Sequence, residues 1–230
     1  SMHCLKHLLL FFSVLSAING FAQSKPKATY PYLLYLPKDY ANSGKKYPVI
    51  VYLHGSSHRG KDLNKLKGYG LPYLIDKGQD FDFIIVSPQC PSEKYWFTDN
   101  WFDALYTELK MKYRIDTARL YLTGISMGGG GTFEVAKDFP DTFAALVPLC
   151  AWRSDTSRIC QLNKVPMWTF HGTADDIVPV AETEEKVKAL QKCNGDITYT
   201  PLENDGHGIQ WLYEKQGKHD IYQWLLKHSK

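Results

Sequence analysis

Apolar runs of strand length recur along the chain and are separated by segments with helical spacing. The runs are continuous rather than alternating, which is typical of strands buried on both faces of a parallel sheet. A less regular stretch, residues 30–36, predicts an edge strand. The other predicted strands are residues 49–53, 83–86, 120–122, 144–149, 165–170 and 197–202.

Three further segments place apolar residues on one helical face. In residues 102–113 this face holds Phe102, Leu105 and Leu109, and residues 180–193 and 221–226 follow the same spacing. Strands that alternate with helices indicate an α/β fold, with a mostly parallel central sheet flanked by helices on both faces. Loops that follow such strands gather at one edge of the sheet, where open α/β folds place their sites.

Residues 1–22 differ from the rest of the chain. A basic start precedes an apolar run, residues 8–18, which is too short for a comfortable membrane span and ends in small residues. This pattern predicts a tag remnant followed by a secretory signal peptide, with cleavage near Ala22-Gln23. The alternative is an amphipathic N-terminal helix. We therefore expect a secreted or periplasmic protein with a single domain over residues 23–230.

Charge and cysteine usage exclude several classes of partner. The formal net charge is only +3 and no run of Lys or Arg stands out, so we expect no nucleic acid and no stable membrane insertion. The cysteine spacing does not resemble a zinc site, and we expect neither a metal nor a cofactor. Disulfides are permitted in an oxidising compartment, but the sequence does not select a pairing, and it leaves the oligomeric state open. Cys150 ends an apolar run and is expected to be a buried free thiol, and the other cysteines of the predicted mature chain are Cys90, Cys160 and Cys193.

The strongest chemical signal is a G-x-S-x-G motif, residues 124–128, between an apolar strand and a helical stretch. A serine at such a sharp strand-to-helix turn has an exposed hydroxyl, and the flanking glycines leave room for the turn. The helix that follows aims its N-terminal amides at the site, where they stabilise negative charge on a substrate oxygen. Ser126 is therefore the candidate nucleophile.

A serine hydroxyl needs a base, and a base of this kind needs an orienting carboxylate. His207 follows the last predicted strand, is flanked by glycines, and is the candidate base. Asp175 and Asp176 follow the preceding strand, and spacing alone does not choose between them. His54 and His171 each end a strand in a His-Gly pair and are expected to form loop-stabilising hydrogen bonds.

Two backbone N–H groups are expected to form an oxyanion hole. One belongs to Met127, the residue after the candidate nucleophile. The other belongs to the loop after residues 49–53, with Ser56 as the first choice and Ser57 as the alternative.

These motifs together resemble one family. Residues 53–60, 86–91, 124–129, 171–175 and 206–207 occur in the order seen in the α/β-hydrolase group that holds dienelactone-hydrolase-like proteins, phospholipase/carboxylesterase-type enzymes, and feruloyl and acetylxylan esterases. The resemblance is greatest to small bacterial proteins labelled as esterases or peptidases. It implies an eight-stranded sheet, and we expect this chain to lack the first strand or two of that pattern.

The resemblance also bears on the site. The family pattern puts the acid four residues after the His of the His-Gly pair, which selects Asp175 over Asp176. Dienelactone hydrolases use a cysteine where this chain has Ser126, which argues against their reaction.

The resulting functional hypothesis is a serine esterase that works through an acyl-enzyme, with acetyl or feruloyl esters of plant polysaccharide as candidate substrates. The alternatives are a serine peptidase of the same fold and a non-catalytic carbohydrate-binding or interaction protein. Several aromatic residues are placed by chain order at the edge of the sheet that carries the site, where they either bind substrate or pack the loops. The candidate substrate-binding residues are Trp96, Trp101, Trp152 and Trp211.

Overall fold

A computed structural model describes residues 28–230, and the predicted signal peptide lies outside this range. The centre of the fold is a seven-stranded sheet with the order β1-β3-β2-β4-β5-β6-β7. The edge strand β1 is antiparallel to β3, and all other pairs are parallel. The strands are β1 (Tyr32–Tyr35), β2 (Tyr47–Leu53), β3 (Ile84–Pro88), β4 (Ile115–Ile125), β5 (Ala145–Leu149), β6 (Met167–Gly172) and β7 (Ile197–Leu202).

Five α-helices cover the two faces of the sheet. One face packs against α2, α3 and α4, and the other packs against α1 and α5. Because successive side chains of a strand point to opposite faces, strand β2 supplies Val49 and Val51 to one core and Ile50 and Tyr52 to the other. The helices are α1 (Gly70–Asp76), α2 (Trp101–Lys112), α3 (Met127–Asp138), α4 (Ala181–Lys192) and α5 (Ile221–Leu226).

This architecture confirms the predicted α/β fold, including the edge strand, and differs from the expectations in two details. The described residues form seven strands, which is within the range that the resemblance implied for this chain. Strand β4 begins at Ile115, five residues before the predicted apolar run. The sequence pattern did not predict this first part of the strand because polar residues interrupt the apolar run there. Helix α1 lies in a stretch for which the sequence predicted no element, because its seven residues, with Pro72 among them, give too little periodicity to detect.

The strand order creates a crevice at the carboxyl edge of the sheet. Strands β2 and β4 are neighbours, but the chain leaves β2 towards β3 on one side and leaves β4 towards β5 on the other. The loops after β2 and β4 therefore diverge, and ligands of open α/β sheets bind at such a switch point.

The cysteines divide into one disulfide and two buried thiols. Cys160, in the 3₁₀ helix Ile159–Leu162, is bonded to Cys193 at the end of α4, and the two are 33 residues apart in the chain. Cys90 and Cys150 are free and buried, as expected for Cys150. Within residues 28–230, none of the helices combines the length and the apolar character that crossing a bilayer requires.

Candidate active site

The turn between β4 and α3 holds Ser126 in a rare backbone conformation. Its φ of 59° and ψ of −116° are unfavourable for a residue with a side chain. Close packing on both sides explains the flanking glycines. A Cβ on Gly124 would lie 2.3 Å from the Gly128 carbonyl oxygen, and a Cβ on Gly128 would lie 1.9 Å from the Leu53 carbonyl oxygen. The motif thus lets the turn press against the end of β2.

His207 and Asp175 are brought together from the loops after β7 and β6. Nδ1 of His207 lies 2.7 Å from Oδ2 of Asp175. The other carboxylate oxygen, Oδ1, accepts hydrogen bonds from the amides of Ile177 at 2.9 Å and Val178 at 2.8 Å. Burial opposes ionisation of Asp175, but these amides and His207 outweigh it and lower the pKa of the carboxyl group. Asp175 is therefore an anion that holds one imidazole nitrogen of His207. Asp176, the alternative acid, is exposed.

Ser126 and His207 face the same cleft, which has a volume of about 300 Å³. The side chain of His207 is 21% exposed while that of Asp175 is fully buried, so the imidazole is the member of the pair that a ligand can reach. The walls are partly apolar and partly polar. The cleft is lined by Gly55, Ser56, Ser57, His58, Tyr69, Ile125, Ser126, Ile177 and His207.

Two backbone amides flank Ser126 as candidates for an oxyanion hole. Met127 is the first residue of α3, where an N–H has no acceptor within the helix. Ser56 begins the 3₁₀ helix Ser56–His58 on the loop after β2. A Cβ on Gly55 would lie 3.7 Å from the Cβ of Ser126, so this loop passes directly beside the serine. Ser57, the alternative donor, is more exposed than Ser56.

His54 anchors the loop that carries Ser56. Its Nδ1 lies 2.7 Å from the Gly55 carbonyl oxygen and its Nε2 lies 3.0 Å from the Cys90 amide nitrogen. An imidazole that donates at Nδ1 and accepts at Nε2 is neutral, and burial lowers the pKa of His54 to about 4. The expected loop-stabilising role of His54 is confirmed.

Arg59 is a structural contributor that the sequence did not reveal. Its Nε donates to the Ser56 carbonyl oxygen at 3.1 Å, and its Nη1 donates to the Lys94 carbonyl oxygen at 3.1 Å. The guanidinium group therefore ties the loop after β2 to the loop after β3. No motif marks such a residue, because the contact depends on how two distant loops pack.

The four candidate tryptophans have different surroundings. Trp96 and Trp101 are 0% and 1% exposed, and their indole N–H groups bond to the carbonyl oxygens of His54 and Trp96. The expectation that these two contact substrate is corrected, since enclosed rings offer no surface to a ligand and instead pack the loop after β3. Trp152 is half-buried, and its amide donates to the Ser126 carbonyl oxygen at 3.0 Å. Trp211 is half-buried beside His219, with ring centroids 6.4 Å apart, and neither Trp152 nor Trp211 is among the residues that line the cleft.

Cys150 lies behind the His207–Asp175 pair. Ligating atoms of Cys150, Asp175 and His207 lie within 4.8 Å of one another. Burial raises the pKa of the Cys150 thiol to about 12, which keeps the sulfur protonated near neutral pH. A protonated thiol is a poor metal ligand and a poor nucleophile, so the arrangement favours a packing role for Cys150.

Solved structures share this fold. A thermostable esterase has a TM-score of 0.71 and 30% sequence identity, and the match covers 87% of this chain and 60% of that one. The feruloyl esterase module from Clostridium thermocellum, complexed with sinapinate, has a TM-score of 0.62 at 16% identity, over 80% of this chain and 81% of that one. These neighbours confirm the resemblance to esterases of the α/β-hydrolase fold.

Curated relatives match over shorter stretches. The bis(hydroxyethyl) terephthalate hydrolase of Streptomyces coelicolor is 36% identical over 105 residues, which are 46% of this chain and 33% of that protein. A bifunctional acetylxylan esterase/xylanase of Neocallimastix patriciarum is 32% identical over 88 residues, 38% of this chain and 13% of that protein. This chain thus spans a third or less of the length of these two relatives. The sequence model described as PET hydrolase-like matches residues 99–220, more than half of the chain, and on this match the chain belongs to the PET hydrolase-like family.

Proposed function

We propose that this chain is a serine esterase that hydrolyses carboxylic esters through an acyl-enzyme. The observation that carries the proposal is the 2.7 Å contact between His207 Nδ1 and the buried Asp175 carboxylate, with the other side of the imidazole in the cleft that also contains Ser126. Esterases among the relatives and structural neighbours support the same reaction class.

In the proposed reaction, Ser126 attacks the ester carbonyl while Nε2 of His207 accepts the hydroxyl proton. Asp175 keeps the proton of neutral His207 on Nδ1 and stabilises the imidazolium that forms. The amides of Met127 and Ser56 stabilise the oxyanion. His207 then protonates the leaving alkoxide, and in the second half it takes a proton from the water that attacks the acyl-enzyme. Collapse of that second intermediate releases the acid and restores Ser126.

We further propose that the substrate is a polymer-linked ester. The cleft is small and open, and Tyr95, Phe97 and Trp152 form an aromatic surface on adjoining segments. The Trp152 amide donates to the Ser126 carbonyl oxygen at 3.0 Å. The Tyr95 ring lies 5.1 Å from the guanidinium of Arg59, which donates to the Ser56 carbonyl oxygen. The rings of Tyr95 and Phe97 are stacked at 5.6 Å, and Tyr95 meets Trp152 edge-on at 6.1 Å. Phe97 is 45% exposed, an unusual position for a large apolar side chain. Such a surface suits sugar or aromatic units next to the scissile ester. Relatives named for acetylxylan and for a terephthalate ester are consistent with either unit.

We also propose export from the cytoplasm. The support within the described residues is the Cys160–Cys193 disulfide, because such bonds persist in oxidising compartments. Mass spectrometry of the N-terminus after expression of the full chain in a bacterial host tests this proposal. A mature protein beginning at or near Gln23 supports it, and an intact N-terminus in the cytosolic fraction contradicts it.

The decisive experiment compares the wild-type protein, Ser126→Ala and the matched control Ser92→Ala, an exposed serine outside the cleft. The substrates are p-nitrophenyl acetate, p-nitrophenyl octanoate, methyl ferulate, bis(hydroxyethyl) terephthalate, acetylated xylan and a chromogenic peptide. We expect ester turnover by the wild type and by Ser92→Ala, and a loss of several orders of magnitude in Ser126→Ala. Labelling of Ser126 by a fluorophosphonate gives a second readout. Cleavage of the peptide alone favours a peptidase, and the absence of both turnover and labelling contradicts a catalytic function.

A further inference from the structure

A second histidine contacts the same oxygen of Asp175 that holds His207. His171, next to last in β6, is fully buried, and its Nε2 lies 3.2 Å from Oδ2 of Asp175. The same nitrogen lies 2.9 Å from the Val178 carbonyl oxygen. On the other side of the ring, Nδ1 lies 2.7 Å from the hydroxyl oxygen of Thr183 in α4. A histidine in a His-Gly pair was expected to hold a loop, and the loop that it contacts is the one that carries Asp175.

The hydrogen-bond partners define the protonation state of His171. The Val178 carbonyl oxygen only accepts, so the proton of the neutral ring is on Nε2. Nδ1 then accepts a hydrogen bond from the Thr183 hydroxyl. Burial lowers the pKa of His171, which keeps this ring neutral. The positive end of the Nε2–H dipole is thus fixed beside the Asp175 carboxylate.

The contacts of His171 converge on both oxygens of Asp175. Its Nε2 atom lies 3.2 Å from Oδ2, and its hydrogen bond holds the carbonyl of Val178, whose own amide donates to Oδ1 at 2.8 Å. Loss of His171 therefore loosens the turn that carries the carboxylate and removes a positive dipole from the oxygen that orients His207.

We propose that His171 and Thr183 are positioning residues that extend the array of Ser126, His207 and Asp175 into helix α4. Thr183 holds the ring of His171, and His171 holds the carboxylate that orients the base. This inference rests on the proposed esterase function, in which His207 is the base. Because the one side-chain hydrogen bond of Thr183 within residues 28–230 is with His171, its contribution depends on the presence of His171.

The other titratable neighbours of Asp175 do not obscure the effect of His171 on the pH profile. Within the described residues, His171 and His207 are the only basic side chains within 4.0 Å of Asp175. Cys150 faces the pair from the end of β5, and His58 faces it from the loop across the cleft. Burial raises the pKa of Cys150 to about 12 and lowers the pKa of His58, so both are neutral near pH 7.

Electrostatics gives the direction in which the pH profile should move when His171 is removed. A dipole that stabilises the Asp175 anion reduces the pull of Oδ2 on the His207 proton. Without it, imidazolium at His207 is stabilised more strongly by Oδ2. The acid limb of the kcat/KM profile then moves to higher pH, while kcat falls about tenfold because the base is held less well. Substrate binding does not involve His171, so KM stays unchanged.

The test uses His171→Leu, His171→Gln, Thr183→Val and the double variant His171→Leu/Thr183→Val. The matched control is Thr169→Val, since Thr169 is a buried threonine of β6 whose hydroxyl donates to the Pro148 carbonyl oxygen at 2.8 Å, away from the array. The readouts are kcat and KM on p-nitrophenyl acetate, the pH profile, the His207 pKa by NMR titration, and the melting temperature.

We expect His171→Leu to lower kcat and to raise the His207 pKa. His171→Gln should partly reverse the changes in kcat and in the His207 pKa, because its side-chain amide carries an N–H group. Thr183→Val should change both quantities in the same direction as His171→Leu, but less. The double variant is no worse than His171→Leu, whereas Thr169→Val lowers only the melting temperature. A His171→Leu variant that resembles Thr169→Val overturns the inference, as do additive effects in the double variant. If His171→Leu does not fold, an unshifted His207 pKa in Thr183→Val overturns it.

The two proposals fail in distinguishable ways. A wild-type protein that hydrolyses no ester contradicts the esterase function, and the NMR titration then still tests the coupling of His171 to His207. An active wild type with an inactive Ser126→Ala and unaffected His171 variants contradicts only the positioning role.

Discussion

The carbonyl oxygen of Leu53 occupies the space where a side chain on Gly128 would begin, since a Cβ there would lie 1.9 Å away. The end of β2 and the first turn of α3 are therefore in direct backbone contact. This contact sets the spacing between the two amides that we propose as the oxyanion hole.

Gly128→Ala should for this reason impair activity more than an ordinary surface change. The added methyl group should displace the end of β2 and move the Ser56 amide. We therefore expect kcat/KM to fall at least a hundredfold, which is comparable to the loss of one oxyanion donor. Overpacking should also lower stability by about 1–3 kcal/mol. Steady-state kinetics and urea unfolding measure the two effects. Gly44→Ala is the control, because nothing lies within 4 Å of a Cβ at that position. Equal behaviour of the two variants would show that the contact has no influence on the site.

Trp152 and Trp211 should differ in their effect on polymer hydrolysis. Trp152 adjoins Ser126 and is part of the aromatic surface, whereas Trp211 packs beside His219. We expect Trp152→Ala to lower kcat/KM on acetylated xylan or on a polyester film about tenfold, with a smaller effect on p-nitrophenyl acetate. Trp211→Ala should leave the ratio of the two activities unchanged. A proportional loss on both substrates in Trp152→Ala would argue against a role in binding the polymer.

The Cys160–Cys193 disulfide should contribute to stability without contributing to catalysis. It closes a segment with a separation of 33 residues, for which the chain-entropy relation gives about 3–4 kcal/mol. We expect the free energy of unfolding of Cys160→Ser/Cys193→Ser, measured by urea unfolding, to be lower by that amount. The kcat at 25 °C should stay near the wild-type value. Reducing agent should shift the unfolding of the wild type and leave the double variant unchanged. A shift in both proteins would point to another thiol.

Acid should destabilise the protein through His54. Burial lowers the pKa of His54 to about 4 in the folded state, against about 6.5 in an unfolded chain. The unfolded state therefore binds a proton first as the pH falls. The stabilisation is complete above pH 6.5 and decreases towards pH 4, by on the order of 3 kcal/mol. Unfolding free energies measured across this range should fall less steeply in His54→Gln than in the wild type. Parallel curves for the two proteins would show that other groups cause the acid response.

The sequence predicted the fold well wherever a single local pattern was decisive. Every predicted strand is present. Most of them are buried on both faces and leave a continuous apolar run, whereas β7 lies at an edge of the sheet and is only partly buried. Ser126, Asp175 and His207 were named from motifs, and the structure brings them to one edge of the sheet; their catalytic roles remain a proposal.

What the sequence did not predict depends on packing between distant segments. Trp96 and Trp101 carry the residue type of a binding site, but only the tertiary structure encloses them in the core. Arg59 and Thr183 have no motif at all, since their roles come from contacts with loops and strands remote in sequence. The disulfide pairing was likewise open until the ends of two helices were placed side by side.

The disulfide has one more consequence. Asp175, His171 and Thr183 all lie between Cys160 and Cys193, and so does Ile177, an apolar residue that is 67% exposed in the loop after β6. A protease that cuts this loop would produce two pieces that stay joined through the sulfur atoms. Nicked protein would migrate as a single band on a non-reducing gel and as two bands on a reducing gel. The loop that carries Asp175 lies inside a covalent ring, and its cleavage would thus release neither half of the protein.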